Sequence, residues 1–156
     1  MKLRSYRPED NASLAGLFAE AVRAIGLADY TAEQLAVWAE AAPDLERWRC
    51  EAEGRVVFVA EDEGGVSGFA TFEADGHIDH LYVHPRFQRR GAASELLGEI
   101  EARAASLGIG RIFTEASITA RPFFERAGFR VIAAQEVAIR GTAFVNYRME
   151  KRLGGG

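Results

Sequence analysis

The chain has 156 residues, 48% of them apolar and 27% charged, which is the size and balance of one globular domain with its own core. Its formal net charge of −4 excludes a global basic field for nucleic acid, and no stretch approaches the roughly 20 apolar residues of a membrane helix. The one cysteine, Cys50, excludes an intramolecular disulfide and suits a reducing compartment. The opening MKLRSYRPED carries no apolar run of a secretory signal. The expectation is a cytoplasmic protein with no nucleic-acid or membrane partner, one domain over 1–153 and a flexible glycine tail over 154–156.

In chain order, Lys2 to Arg7 reads as a first strand ended by Pro8. Leu14, Leu17, Phe18, Ala21, Val22 and Ile25 then recur at helical spacing. Thr31 to Gln34 fits a capping box that opens a second helix with Leu35, Trp38 and Ala42 on its apolar stripe. Asp44 after Pro43 suggests a short third helix carrying Trp48. The period then changes: Arg55–Ala60, Val66–Phe72 and Ile78–Val83 read as three strands in an antiparallel meander. Gly64-Gly65 marks one turn and Asp75-Gly76 signals a two-residue hairpin at the other. A long helix follows Gly91, with Leu96, Leu97, Ile100, Ala104 and Leu107 as its core stripe and Gly108 as its C-terminal cap. Arg111–Thr114 reads as a strand, Pro122–Ala127 as a short helix closed by Gly128, and Phe129–Ile139 with Ala143–Met149 as a last strand pair joined near Arg140-Gly141. The order β-α-α-β-β-β-α-β-α-β-β predicts an α/β fold with helices on the faces of a mixed sheet.

The chemistry concentrates in HIDHLYVHPRFQRRGAASELL, His77 to Leu97. A strand ends at Val83-His84-Pro85, a loop follows, and a helix opens at a glycine. The first turn of a helix has free backbone N–H groups and partial positive charge, so it receives a phosphate or pyrophosphate readily. Arg86, Arg89 and Arg90 add cationic charge in an otherwise acidic chain. The bland alternative is a helix start beside a solvated basic face. The loop is neither a Walker A loop nor a dinucleotide fingerprint, because no Gly-Lys-Ser/Thr follows and Gly91 is the turn's single glycine.

Gln88 to Ala93 resembles the Q/R-x-x-G-x-G/A signature of the GCN5-related N-acetyltransferases, and ARPFFERAGF, Ala120 to Phe129, resembles that family's A-x-x-x-Y-E-x-x-G-F helix end. The segment Gln135 to Lys151 further resembles a bacterial branch of the family called YafP-like. The resemblance implies a mostly antiparallel sheet of about seven strands flanked by about four helices. It also implies acetyl-CoA as cosubstrate, no metal, and an amine of a small molecule or protein as acceptor, in a monomer or homodimer. By the same resemblance the CoA site comprises Leu81, Tyr82 and Val83 on the fourth strand, Gln88, Arg89, Arg90, Gly91, Ala92, Ala93 and Ser94 at the helix start, and Ser117 and Phe124 beyond it.

Three positions depart from the family pattern. Ala93 replaces the commoner glycine, Ser117 stands where many members carry asparagine, and Phe124 stands where the family's tyrosine often reprotonates the CoA thiolate. Phenylalanine has no proton to give. The substitute acids considered are Tyr82 and Tyr147. Acylation of an amine also needs a base. Two-residue alternation predicts that His77, Asp79, Leu81 and Val83 share the cleft face, with His80 and His84 on the other. His77 and Asp79 are therefore the candidate base and its orienting partner, against a structural reading of both. The same alternation argues against a zinc site built from His77, Asp79, His80 and His84. Tyr30, Trp38 and Trp48 are candidates for the acceptor wall or for core, and Glu33, Glu40 and Asp44 for meeting a cationic amine. Three functions compete: an active N-acetyltransferase, a CoA-binding sensor or interaction module that lacks catalysis because of Phe124, and a different nucleotide-phosphate binder.

Overall fold

The computed structural model describes residues 1–43 and 55–154. Strand β1 (Lys2–Ser5) stops short of Arg7, because Pro8 opens a 3-10 turn at Pro8–Asp10 that runs into helix α1 (Asn11–Arg23). Asp10 fixes this corner by accepting from the Arg7 N–H at 2.8 Å and from both terminal nitrogens of Arg4 at 2.8 Å. Helix α2 (Ala32–Ala39) starts at the expected capping box: Thr31 Oγ1 accepts from the Gln34 N–H at 3.1 Å and Gln34 Oε1 from the Thr31 N–H at 2.9 Å. The third helix expected at Asp44, with Trp48 and Cys50, lies outside the described residues.

Strands β2 (Val56–Asp62), β3 (Gly65–Phe72) and β4 (His77–Val83) form the predicted meander. The β3–β4 connection is longer than the sequence suggested. Glu73 and His77 close a three-residue loop, with the Glu73 N–H on His77 O at 2.9 Å and the Gly76 N–H on Glu73 O at 2.9 Å. Asp75 does not adopt positive φ; Gly76 alone does, at 102°. A Cβ there would come within 2.2 Å of the Arg111 carbonyl oxygen, so backbone approach as well as the turn demands glycine.

Helix α3 (Ala92–Ser106), strand β5 (Arg111–Ser117), helix α4 (Arg121–Arg126), and strands β6 (Arg130–Ile139) and β7 (Thr142–Arg152) complete the chain. The predicted element order holds. Leu107 is a correction: it lies beyond the last turn of α3 and is 55% exposed, while Leu96, Leu97, Ile100 and Ala104 are buried. The β6–β7 hairpin turns at Arg140 (φ 49°) and Gly141 (φ 83°), between the paired Ile139 and Thr142.

The sheet order is β1-β2-β3-β4-β5-β7-β6, and its pairs are antiparallel except β4 with β5. Two cores sandwich it. Helices α3 and α4 cover one face, with Phe58, Phe72, Ile78, Leu96, Ile100, Ile112 and Met149 at the centre. Helices α1 and α2 cover the other, with Leu14, Phe18, Val22, Val59, Phe69 and Phe144. No helix among the described residues is long and apolar enough to cross a membrane.

Candidate active site

The site originates in a defect of the sheet. Thr71 pairs with His80 and Phe72 with Ile78, so Asp79 is an extra residue, a β-bulge in β4. The bulge reverses the alternation beyond it. Ile78 and Leu81, three residues apart, both pack toward α3 and α4, whereas Tyr82 packs with Phe18 and Phe69 toward α1. The expectation that His77, Asp79, Leu81 and Val83 share one face is thereby corrected, and His80, which alternation had turned away, belongs to the cleft wall.

The bulge also ends the pairing of β4 with β5. The two strands match only at His77↔Phe113 and Ile78↔Thr114, locked by the Thr114 hydroxyl on Ile78 O at 2.9 Å. Beyond that lock they part. A cleft of about 520 Å³ opens between Asp79–Val83 on one side and Glu115–Ser117 on the other, continuing to Gln88 and Phe124. The His84 N–H donates to Ser67 O. Antiparallel alternation then assigns the His80 and Tyr82 amides to β3 and turns the Leu81 and Val83 amides into the gap. Those N–H groups are free to hold an extended ligand arm.

At the far end of β4, Arg89 (φ 64°) and Gly91 (φ 84°) bend the loop in the left-handed sense just before α3. No side chain caps the helix start, and the first backbone bond there is the Glu95 N–H on Gly91 O. The amides of Ala92, Ala93 and Ser94 are thus left for an anion. A Cβ on Gly91 would meet nothing within 4 Å, so positive φ and close access, not crowding, are what require glycine. Arg86, Arg89, Arg90 and Gln88 are exposed around this turn, and Arg90 lies over the Phe87 ring at 5.5 Å. Ala93 sits inside the helix, where alanine is at ease. His84 anchors the loop from below, its Nδ1 accepting from the Arg86 N–H at 3.1 Å and its Nε2 bonded to Glu20 of α1.

The titratable groups divide sharply. His77 is held between Glu73 at 2.8 Å and Glu115 at 2.7 Å and stacks on Phe113. Burial works against its charge, but Glu115 and Glu73 outweigh it and raise the imidazole to about 9. His77 is therefore a cation at neutral pH, and it is not part of the cleft lining. His77, Asp79 and Glu115 each bring one potential ligand atom within 4.8 Å of the others; the two hydrogen bonds already engage both His77 nitrogens. His80 behaves oppositely. Burial lowers its pKa, opposed by Asp79 and assisted by His77, so the ring is neutral at pH 7. One of its nitrogens, Nδ1, lies 2.9 Å from the Thr71 hydroxyl and 3.8 Å from Asp79.

Of the two tyrosines, Tyr82 lines the cleft and Tyr147 does not; Tyr147 packs toward α4 beneath the Arg121 guanidinium at 4.6 Å. Burial pushes the Tyr82 phenol well above its usual range, the Trp38 indole N–H acting against the rise. Phe124 is 4% exposed, edge-on to Phe123 and Phe129. Ser117 lines the cleft, its Oγ accepting from the Ala120 N–H at 3.0 Å and its hydroxyl also bonded to Tyr30. Tyr30 and Trp38 are on the opposite wall. Glu40 pairs with Arg140 at 3.6 Å on the outside, and neither it nor Glu33 reaches the cleft.

These features agree with the relatives of the chain. Residues 26–151 match the family model described as an acetyltransferase (GNAT) domain. The chain is 35% identical over 149 residues to the N-acetyltransferase YafP of Escherichia coli (strain K12), covering 96% of this chain and 94% of the relative. A crystal structure from Rhodopseudomonas palustris, described as a GCN5-related N-acetyltransferase, superposes with a TM-score of 0.90 at 33% identity, over 97% of this chain and 95% of that one. The PaiA N-acetyltransferase of Thermoplasma acidophilum, solved with coenzyme A, shares the fold at a TM-score of 0.76 and 18% identity, over 97% and 98%. With a splayed β4–β5 pair, an uncapped glycine-led helix and relatives that match almost end to end, the chain belongs to the GCN5-related N-acetyltransferase family.

Proposed function

We propose that the protein transfers the acetyl group of acetyl-CoA to a primary amine by direct attack, with both substrates in the cleft between β4 and β5. The observation that carries this reading is the gap itself, with the Leu81 and Val83 amides open to it and the uncapped start of α3 at its end. The CoA pyrophosphate binds the Ala92–Ser94 amides beside Gln88, Arg89, Arg90 and Gly91. The pantetheine arm runs along Leu81, Tyr82 and Val83, and Ser117 and Phe124 border the thioester end.

In the step, the amine nitrogen attacks the thioester carbonyl carbon. The negative charge that develops on oxygen is met by a β4 amide, and collapse breaks the C–S bond to release CoA thiolate. The attacking amine must be neutral. His80 is the best-suited proton acceptor: it lines the cleft, it is uncharged at neutral pH, and Thr71 steadies Nδ1 while Nε2 accepts. The charges facing it are Asp79 and His77 of β4 and Glu73 of the preceding turn. Asp79 favours the imidazolium once formed. His77, already protonated, orients Glu115 rather than acting as base. Tyr82 is the candidate proton source for the thiolate, since it lines the cleft and Tyr147 does not. The route requires no metal.

Phe124 supports a second reading, a CoA-binding module without turnover, because an apolar ring occupies the position of the family's proton donor. One assay separates the two. Acetyl-CoA is mixed with the protein and pools of polyamines, aminoglycosides, amino acids, arylalkylamines and peptides, and free thiol is followed. Thiol release that depends on a pool supports the transferase. CoA binding by calorimetry with no release from any pool supports the module.

A further inference from the structure

The wall facing the cofactor strands has a chemistry of its own. Tyr30, Trp38 of α2 and Phe144 of β7 form a continuous aromatic surface, with ring centroids 5.4, 6.1 and 6.2 Å apart. Ile25 extends it from the end of α1, and Val137 and Ile139 from β6. Tyr30 and Phe144 are almost wholly buried, while Trp38 is partly buried and lines the cleft.

This wall offers a polar ligand one open group, the buried side-chain oxygen Asn146 Oδ1 of β7, which has no hydrogen-bond partner among the described residues. The Tyr30 hydroxyl is already engaged, accepting from the Ile118 N–H at 2.8 Å and donating to Val145 O at 3.3 Å. Among the described residues of the cleft lining, the charged side chains are Asp79 and Glu115, both on the cofactor strands. Glu115 is committed to His77, which leaves Asp79, 37% exposed and 3.8 Å from His80 Nδ1, as the anionic point more open to the cleft. The Tyr82 hydroxyl links the two regions: the Trp38 indole N–H and the Asp79 carboxylate both act on it. Among the described residues, one anionic point thus lies at the edge of a largely apolar aromatic slot, and no second one lines it further in.

We propose, on the basis of the transferase reading, that the acceptor is a small monoamine with an aromatic or aliphatic body, an arylalkylamine-type molecule, with Trp38 as the specificity-determining side chain. The ammonium approaches Asp79 and yields its proton at the reacting end, and the body lies against Trp38 and Phe144. A cation near these rings is favoured by their electron-rich faces, and the apolar body by burial. A polyamine would bury a second ammonium without a partner. An aminoglycoside would bury more hydroxyls than Asn146 Oδ1 can satisfy, and each unpaired one weakens binding. The cleft volume of about 520 Å³, shared with the acetyl-pantetheine end, suits a small acceptor body.

The test has two arms. In the first, phenethylamine, tryptamine, spermidine, kanamycin and a lysine-containing peptide are titrated calorimetrically into CoA-loaded protein. In the second, the same amines are compared by thiol release from acetyl-CoA. Phenethylamine or tryptamine is expected to bind and react with a KM at least tenfold below the others. Trp38→Ala should raise that KM about 10- to 100-fold, the worth of a buried aromatic contact, with CoA affinity unchanged. Val137→Asp, on the partly exposed edge strand, adds the missing second anionic point and should shift preference toward spermidine even if Trp38→Ala proves unstable. Preference of the wild type for spermidine, kanamycin or peptide overturns the proposal, as does failure of both arylalkylamines to bind the CoA-loaded protein. If they bind but no thiol is released, the acceptor site stands and the transferase reading fails. If CoA itself does not bind, both fall together.

Discussion

The two ends of the cleft are built by different means. The end proposed for the cofactor is made of backbone: the open amides of Leu81 and Val83, the left-handed Arg89 and Gly91, and the uncapped start of α3. The end proposed for the acceptor is made of side chains from α2, β6, β7 and the segment after α1, brought together only by the fold. A backbone site tolerates exchange of most neighbouring side chains but depends on a few φ values. A side-chain site can change specificity at single positions while the cofactor grip persists. Loops and side chains that vary around a fixed cofactor cradle are how one fold serves many acceptors.

The largest expected effect lies between the two ends, at the bulge. His80→Gln should lower kcat/KM by about 10²–10⁴, the usual worth of a positioned acid–base group, with CoA affinity preserved. The acidic limb of the pH–rate profile is expected below 6.5, since burial lowers the His80 pKa, and it should vanish in the variant. His77→Gln should keep that limb and move it upward, since it removes a charge that helps hold the His80 pKa down. A limb that disappears with His77 instead would transfer the base to the residue that simple alternation favours.

Next in size is the cofactor end. Gly91→Trp forces a side chain into the left-handed region, at a cost of about 1–3 kcal/mol, and covers the open amides. Calorimetry should show CoA affinity reduced about 10- to 100-fold or more while far-UV circular dichroism is unchanged. Phe124→Tyr sharpens the same end, since it restores a proton donor at the thiolate. It should raise kcat by up to about 100-fold if reprotonation limits the wild type, and should leave kcat unchanged if Tyr82 already serves.

The smallest effects concern stability. Protonated His77 is tied to Glu73 and Glu115, and its folded pKa of about 9 exceeds the ordinary 6.5. Its contribution is fully present below about pH 6.5 and is lost as pH rises through 9, so the melting temperature should fall over that range in wild type and much less in His77→Gln. Glu150 acts at the other extreme. Arg111 at 2.6 Å and Arg130 at 2.6 Å hold it down at about 2. The support this network gives β5, β6 and β7 should be retained above about pH 4.5 and be lost as pH falls toward 2, which acid titration of wild type and Glu150→Gln would reveal.

What sequence reading captured follows the same division. The capping box at Thr31, the order of strands and helices, and the glycine-led start of α3 are local signals with local causes. The structure carries all three. The face of β4 was misread because period-two alternation assumes an unbroken ladder. The extra residue at Asp79 reverses every position after it and turns His80 to the cleft wall, while His77 stays outside because β4 still pairs with β5 there. No residue in HIDHLYV announces a bulge; the one available hint was that Ile78 and Leu81, both apolar, are three apart. Tyr147, named beside Tyr82 as a substitute acid, packs toward α4 outside the cleft lining. The acceptor wall was half-seen, as Tyr30 and Trp38, because Val137, Ile139 and Phe144 read in sequence as ordinary strand residues.

The most direct measurement is thiol release from acetyl-CoA as a function of amine concentration, wild type beside Gly91→Trp and His80→Gln. The account predicts release that saturates with a suitable amine, is restored in Gly91→Trp only at much higher acetyl-CoA, and is nearly abolished in His80→Gln at any acetyl-CoA concentration. Amine-dependent release that is indifferent to both substitutions, or none at all from a protein that binds CoA, would contradict it.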